Sequence, residues 1–175
     1  MNSRITVKFD GAIRPEWIDF ALERYLHSTS EAQLRNTLKE FLQPFGNDPV
    51  TIQKTVLQLQ RTVGYRSRIS RSELEALYVQ LADLKPEARN PVRLQILCES
   101  NNFFLDCVEA LRKLRMAGTE EVSLQHLYAR IDAIYGEREM VHRRVRYVIQ
   151  TLAAFGCVTN TKGKWRIEDS LNREV

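Results

Sequence analysis

The fold of this chain is decided by the stretch Arg138-Glu-Met-Val-His-Arg-Arg-Val-Arg-Tyr-Val-Ile-Gln-Thr-Leu-Ala-Ala-Phe155, which lies in its last third. Its apolar residues recur every three or four positions, and this spacing predicts an amphipathic helix that ends at Gly156. The residues that follow, 157–167, are typical of two short strands joined by a turn. A shorter helix is predicted just before, over residues 123–135, because Gly136 stops it.

Two short helices followed by a hairpin are the outline of a winged helix-turn-helix unit. A helix predicted over residues 101–117 would be its first helix, because the apolar residues there fall on one stripe. Upstream, apolar periodicity predicts a strand over Arg4–Phe9 and helices at about 15–27, 30–43, 49–63, 71–84 and 91–99. We therefore expect a mainly α protein: an N-terminal helical domain with a short strand, residues 1–100, and a C-terminal winged-helix domain with a short β-hairpin wing, residues 101–175.

Several helix starts are marked by residues that cap the first turn. Asp48 and Asn90 each precede a proline, the order expected where a capping side chain is followed by the first helical residue. Ser70-Arg-Ser-Glu73 has the spacing of a capping box, and so does Ser30-Glu-Ala-Gln33. These patterns predict where the helices begin.

The charge of the chain is concentrated in two places. The formal net charge is +4 and the pI is about 9.1, which favour an anionic partner. Residues 138–166 contain seven Lys and Arg and a single acidic residue, Glu139. Residues 61–71 contain four arginines and no acidic residue. Because duplex DNA is a polyanion whose groove accepts a helix, we expect double-stranded DNA as the partner.

The side of the basic helix opposite its apolar stripe carries groups that suit nucleic acid. Arginine binds the guanine edge with two hydrogen bonds, glutamine does the same for adenine, and lysines at a hairpin tip suit phosphates. We predict DNA contacts by Arg138, His142, Arg143, Arg144, Arg146, Tyr147, Gln150, Lys162, Lys164 and Arg166. A second basic patch is predicted from Arg61, Arg66, Arg68 and Arg71, against the interpretation that these arginines pair with Glu73 and Glu75 in a solvated loop.

Other classes of function find little support in the sequence. The three cysteines, Cys98, Cys107 and Cys157, have no C-x-x-C spacing, and the three histidines have no metal-ligand partner at the usual spacing. No nucleotide-binding or hydrolase motif occurs. We therefore expect no enzymatic activity, no metal and no cofactor. Without an apolar run long enough for a membrane span or a secretory signal, we expect a cytoplasmic protein.

The chain also resembles a known family over nearly its full length. The similar segments are Ile5-Thr-Val-Lys-Phe9 with Gly11-Ala-Ile-Arg-Pro15, Ser72-Glu-Leu-Glu-Ala-Leu77, Phe103-Phe-Leu-Asp-Cys-Val-Glu-Ala-Leu-Arg112 and Val145-Arg-Tyr-Val-Ile-Gln-Thr-Leu-Ala-Ala-Phe-Gly-Cys-Val158. They resemble the small BrxA-type proteins of BREX phage-defence islands. The resemblance implies a non-catalytic, DNA-binding accessory subunit, with other subunits of the defence system as candidate partners. The chain is shorter than expected for that family, and its wing is compact.

Two alternatives of other classes stay open at this point. As a winged-helix transcriptional regulator, the protein would recognise a defined operator as a dimer. As a protein–protein adaptor, it would use the same unit without binding nucleic acid. The sequence leaves the oligomeric state open, and Trp165 is expected in the core or against a sugar-phosphate surface.

Overall fold

The computed structural model describes residues 8–46 and 48–172. In this part of the chain, α-helices and a small antiparallel sheet form the protein. The helices are α1 (Pro15–His27), α2 (Glu31–Leu42), α3 (Pro49–Val63), α4 (Arg71–Asp83), α5 (Asn90–Ser100), α6 (Asn102–Met116), α7 (Leu124–Tyr135) and α8 (Glu139–Ala154), and the strands are β1 (Glu121–Val122), β2 (Val158–Thr161) and β3 (Lys164–Ile167). The prediction of a mainly α fold with a C-terminal hairpin is confirmed.

The capping patterns are confirmed at three of the four predicted sites. Ser70 and Glu73 form a reciprocal capping box at the start of α4. Asp48 accepts hydrogen bonds from the Val50 and Thr51 amides at the start of α3. Ser30 accepts from the Gln33 amide at the start of α2, but Gln33 Oε1 accepts from the Thr29 amide, so this cap is not a reciprocal capping box. The prediction for Asn90 is wrong, because the helix already includes this residue. Its side-chain amide instead bridges Arg93 and the Phe155 carbonyl.

The predicted strand over Arg4–Phe9 is not found where it can be examined. Arg4–Val7 lie outside the described residues, and Lys8 and Phe9 belong to no strand. Phe9 is fully buried with its ring 5.4 Å from that of Phe104 on α6. The alternating apolar residues predicted a half-buried strand. The neighbour of Phe9, however, is helix α6, and a helix has no free edge with which a strand could pair.

The sheet contains a strand that the sequence did not predict. Its order is β1-β3-β2, and both pairings are antiparallel. Strand β1 has two residues, Glu121 and Val122, which pair with Arg166 and Trp165 of β3. A two-residue strand is too short to show periodicity, so only its neighbour in space identifies it.

The buried residues of both halves form one continuous core. A single residue, Asn101, separates α5 from α6 across the predicted domain boundary. The segment before α1 also contacts α8. The Ile13 backbone amide donates a buried hydrogen bond to Thr151 Oγ1, at a distance of 3.0 Å. The predicted boundary near residue 100 therefore falls between two helices that share a core. None of the described helices has the length and apolar character that crossing a bilayer requires.

Candidate nucleic-acid interface

Helix α8 has an inner and an outer side, as its apolar spacing predicted. Val141, Val145 and Val148 are fully buried, which holds the helix against the core. A helix repeats every ~3.6 residues, so positions on the far side are separated by three, four or seven. Arg143 and Gln150 lie on that side and are exposed, with the half-buried Tyr147 between them. These three side chains form the central stripe of the candidate interface.

The hairpin follows α8 after a sharp helix end. Gly156 has φ +74°, which lets the Cys157 amide turn back and donate to the Leu152 carbonyl at 2.9 Å. The register pairs Thr161 with Lys164, so the turn consists of Lys162 and Gly163 alone. The helix and the hairpin are therefore joined by a short, well-defined connection.

The turn of the hairpin exposes two lysines. Lys162 and Gly163 both have positive φ, +50° and +83°, as two-residue hairpin turns of the primed types require. The Gly163 amide donates to Asn160 Oδ1 at 3.3 Å and so fixes the tip. Lys162 and Lys164 are exposed, and neither has an acidic partner among the described residues. Both ammonium groups are thus available to an anion.

The middle of β3 is less available to an anion than the tip of the hairpin. Arg166 is exposed, but Glu121 lies opposite it on β1 and Glu168 is 3.8 Å from its guanidinium. These carboxylates offset its charge. Trp165 is partly buried and packs against the core, which agrees with the first of the two positions expected for it.

Arg146 is held in place by neighbours on two sides. Its Nη1 donates to the Tyr128 hydroxyl on α7 at 3.1 Å, and its Nη2 lies 3.5 Å from a Glu139 carboxylate oxygen. The hydrogen bond to Tyr128 raises the pKa of the Arg146 guanidinium. Its side chain remains 41% exposed, so one face is open to a ligand.

Three of the predicted contact residues have structural roles inside the protein. Arg144 donates two hydrogen bonds to Asp10, at 2.7 and 3.1 Å. Arg138 is partly buried and donates to the Tyr135 carbonyl. Arg138, Arg144 and His142 therefore lie behind the exposed surface, and their contact with DNA stays a prediction. The helical wheel placed Arg144 and His142 at the edges of the outer side of α8, and contacts with α7 and the segment before α1 decided where their side chains lie.

His142 belongs to a cluster between α7 and α8. Its Nε2 lies 2.8 and 2.9 Å from the two carboxylate oxygens of Asp132. Its ring stacks on Tyr128, with centroids 4.2 Å apart and planes 4° from parallel. Tyr128 and Asp132 are one turn apart on α7 and so share a face. Neither residue is among those predicted from the sequence, because the spacing of residues on α7 does not indicate which helix this face contacts.

The four arginines of the predicted second basic patch all have partners within the protein. Arg61 lies 3.5 Å from Asp10, and Arg66 lies 2.6 Å from Glu31. Arg68 and Arg71 donate to backbone carbonyls of Glu99 and Leu26, and Arg71 also pairs with Glu75. Arg66 and Arg68 thus hold the loop between α3 and α4 against α2 and α5. Arg71 joins the start of α4 to α1, and Arg61 joins α3 to the segment before α1. Of the pairings with Glu73 and Glu75 considered as the alternative, the one with Glu75 is present.

The surroundings of the three cysteines do not activate their thiols. Burial raises the pKa of Cys98 to about 12 and also raises the pKa values of Cys107 and Cys157. These thiols are therefore protonated at neutral pH and are poor nucleophiles. Within residues 8–46 and 48–172, no group of three or more His, Cys, Asp and Glu is placed to hold a metal ion.

Comparison of the chain with protein-family models, with curated proteins and with solved structures gives no match.

Proposed function

We propose that this protein binds duplex DNA through α8 and the β2–β3 hairpin, as a non-catalytic accessory protein. The observation that carries the proposal is the exposed stripe of Arg143 and Gln150 beside a hairpin tip with Lys162 and Lys164. A helix of this width enters the major groove, and a neighbouring hairpin then lies along the phosphate backbone.

The order of elements supports a winged-helix arrangement. Helix α6 is followed by β1, by α7 and α8, and by the β2–β3 hairpin, with β1 and β2 on either side of β3. In this arrangement α8 is the recognition helix and the hairpin is the wing. The predicted resemblance to BrxA-type proteins supports a place in a phage-defence system, with other subunits of that system as partners.

The number of available cations sets the expected strength of the electrostatic contribution. Three cations have no acidic partner among the described residues: Arg143, Lys162 and Lys164. Two others do have one, since Arg146 lies near Glu139 and Arg166 near Glu168. If three to five cations contact phosphates, the logarithm of affinity falls with the logarithm of salt at a slope of about −2.7 to −4.5. Affinity then decreases about 40- to 500-fold between about 50 and 200 mM salt.

Fluorescence anisotropy with a labelled duplex of random sequence, titrated at several salt concentrations, tests the proposal. The double variant Arg143→Ala/Lys164→Ala should bind more weakly and with a slope lower by about two. The matched control is Lys54→Ala/Lys85→Ala, which removes two exposed lysines from α3 and the α4–α5 loop and should bind like wild type.

The same titration separates the alternatives. No binding at low salt would contradict DNA binding and favour the adaptor. A preference of about 10³-fold or more for one sequence would instead favour an operator-binding regulator. Single-stranded DNA and RNA of equal length complete the comparison, and tighter binding to either would overturn the preference for duplex DNA.

A further inference from the structure

A narrow groove runs between α2 and α3, on helices that the DNA-binding proposal does not use. Its cavity has a volume of about 140 Å³. Among the residues that line it are Arg35, Lys39, Val56, Leu57, Gln60 and Arg66. The wall on α2 is therefore cationic, and the wall on α3 combines the apolar Val56 and Leu57 with the amides of Gln53 and Gln60.

The cationic wall carries more positive charge than the acidic residue of the groove offsets. Arg35 and Lys39 are one turn apart on α2 and so lie on the same side of the helix. Neither has an ion-pair or hydrogen-bond partner among the residues that the structure describes. Glu31 is the acidic residue that lines the groove, and Arg66 already binds it at 2.6 Å. The groove thus has a net positive charge that no neighbouring carboxylate balances.

The opposite wall contains a buried polar group without a partner. Gln60 is 3% exposed, and its Oε1 accepts no hydrogen bond. Buried amide oxygens are nearly always hydrogen-bonded, so an unpartnered one beside a cavity indicates a missing donor. The last side-chain torsion of glutamine is soft, which lets the amide turn towards the groove.

The groove is long enough for a short piece of extended polypeptide. On α2 its lining residues run from Glu31 to Lys39, which is about 12 Å at a rise of ~1.5 Å per residue. An extended segment of about four residues covers that distance at ~3.3 Å each. At Lys39 and Gln53 the groove continues into a wider cavity of about 610 Å³, which leaves room for larger side chains.

We propose that this groove binds an acidic segment of a partner protein in which carboxylates alternate with apolar side chains. Carboxylates would pair with Arg35 and Lys39, apolar side chains would cover Leu57, and a backbone amide would donate to Gln60. A peptide bond offers both a donor and an acceptor, so either orientation of the Gln60 amide is satisfied.

Other anions fit the groove less well. A free phosphate has no apolar part, so it leaves the apolar surface of Leu57 uncovered. Duplex DNA would approach α8 and the hairpin, whereas α2 packs on α1 and α3. The inference goes beyond the proposed DNA binding and does not depend on it.

The test begins with a phage-displayed library of 12-residue random peptides panned against the full chain. We expect the selected sequences to share Asp or Glu alternating with Leu, Ile or Val. A labelled peptide of that consensus is then titrated by fluorescence anisotropy. In the variant Arg35→Ala/Lys39→Ala, affinity should fall about five- to thirtyfold, because two exposed ion pairs are lost.

Reciprocal controls separate this inference from DNA binding. Arg143→Ala/Lys164→Ala should leave peptide binding unchanged, and Arg35→Ala/Lys39→Ala should leave duplex binding unchanged. Arg35→Glu/Lys39→Glu should reject the acidic peptide and bind a version with Lys at each acidic position. The proposal is overturned if panning yields no acidic consensus, if the alanine variant binds the peptide like wild type, or if it loses duplex binding instead. Competition by micromolar tripolyphosphate but not by unlabelled peptide would also overturn it.

Discussion

Asp10 Oδ1 accepts hydrogen bonds from Nε and Nη2 of Arg144, at 3.1 and 2.7 Å, while Asp10 Oδ2 lies 3.5 Å from Arg61. One carboxylate therefore ties the segment before α1 to α8 and to α3. The three side chains are only 18–26% exposed, so solvent screens the pairs less than it does on an open surface.

Because of this contact, Arg144→Ala should destabilise the fold rather than remove a DNA contact. Loss of the two charge-assisted hydrogen bonds leaves Asp10 partly buried with only Arg61 nearby, and we expect a cost of about 1–3 kcal/mol in the free energy of unfolding. Urea unfolding followed by circular dichroism measures it. Arg143→Ala, one residue away and exposed, is the control. Equal stability of the two variants would contradict the structural role of Arg144.

Substitutions of the exposed arginines on the outer side of α8 should weaken DNA binding and leave the stability of the fold unchanged. Arg143→Ala and Arg146→Ala should each weaken duplex binding by about 1–3 kcal/mol if they contact bases or phosphates. Their unfolding midpoints should stay close to that of wild type, since neither guanidinium is buried. Wild-type affinity in both folded variants would show that α8 is not the recognition helix.

Tyr128→Phe tests whether α7 positions Arg146. The change removes the hydroxyl that accepts from Arg146 and keeps the ring that stacks on His142. With one hydrogen bond lost, Arg146 samples more orientations, and duplex affinity should fall about two- to fivefold. The double variant Tyr128→Phe/Arg146→Ala should then bind no more weakly than Arg146→Ala alone. Additive losses would mean that Tyr128 acts independently of Arg146.

The hairpin tip offers a substitution that separates charge from conformation. Lys162 has a positive φ, which asparagine adopts more readily than lysine. Lys162→Asn should therefore preserve or slightly increase stability, while the slope of the salt dependence decreases by about one. Thermal unfolding and salt titration measure the two effects. An unchanged slope would show that the tip of the β2–β3 hairpin does not contact DNA.

Arg66→Ala/Arg68→Ala tests the loop between α3 and α4. Both guanidinium groups are engaged, with Glu31 and with the Glu99 carbonyl, and they are exposed enough for solvent to weaken the contacts. We expect a loss of about 0.5–1 kcal/mol of stability and no change in the salt slope of DNA binding. A slope lower by about two would restore this loop as a second phosphate-binding patch.

Local signals were sufficient for the helices and for the β2–β3 hairpin of this fold. The apolar spacing from Val141 to Phe155, the stop at Gly156 and the turn at Lys162-Gly163 predicted α8 and the hairpin, because helix periodicity, caps and primed turns depend on neighbours within a few residues. The inner and outer sides of α8 followed from the same spacing.

Tertiary packing decided the rest. Arg143 and Arg144 are adjacent and chemically identical in sequence, yet one is exposed and the other binds Asp10, which is 134 residues away. The same holds for β1, for the stack of His142 on Tyr128 and for the groove beside Gln60. The sequence by itself determined which segments become helices and which faces are apolar, since these depend on short-range periodicity. Which polar side chains remain available to a ligand was decided only when distant segments met, because a charge that is partly removed from water must find its partner wherever the fold brings one.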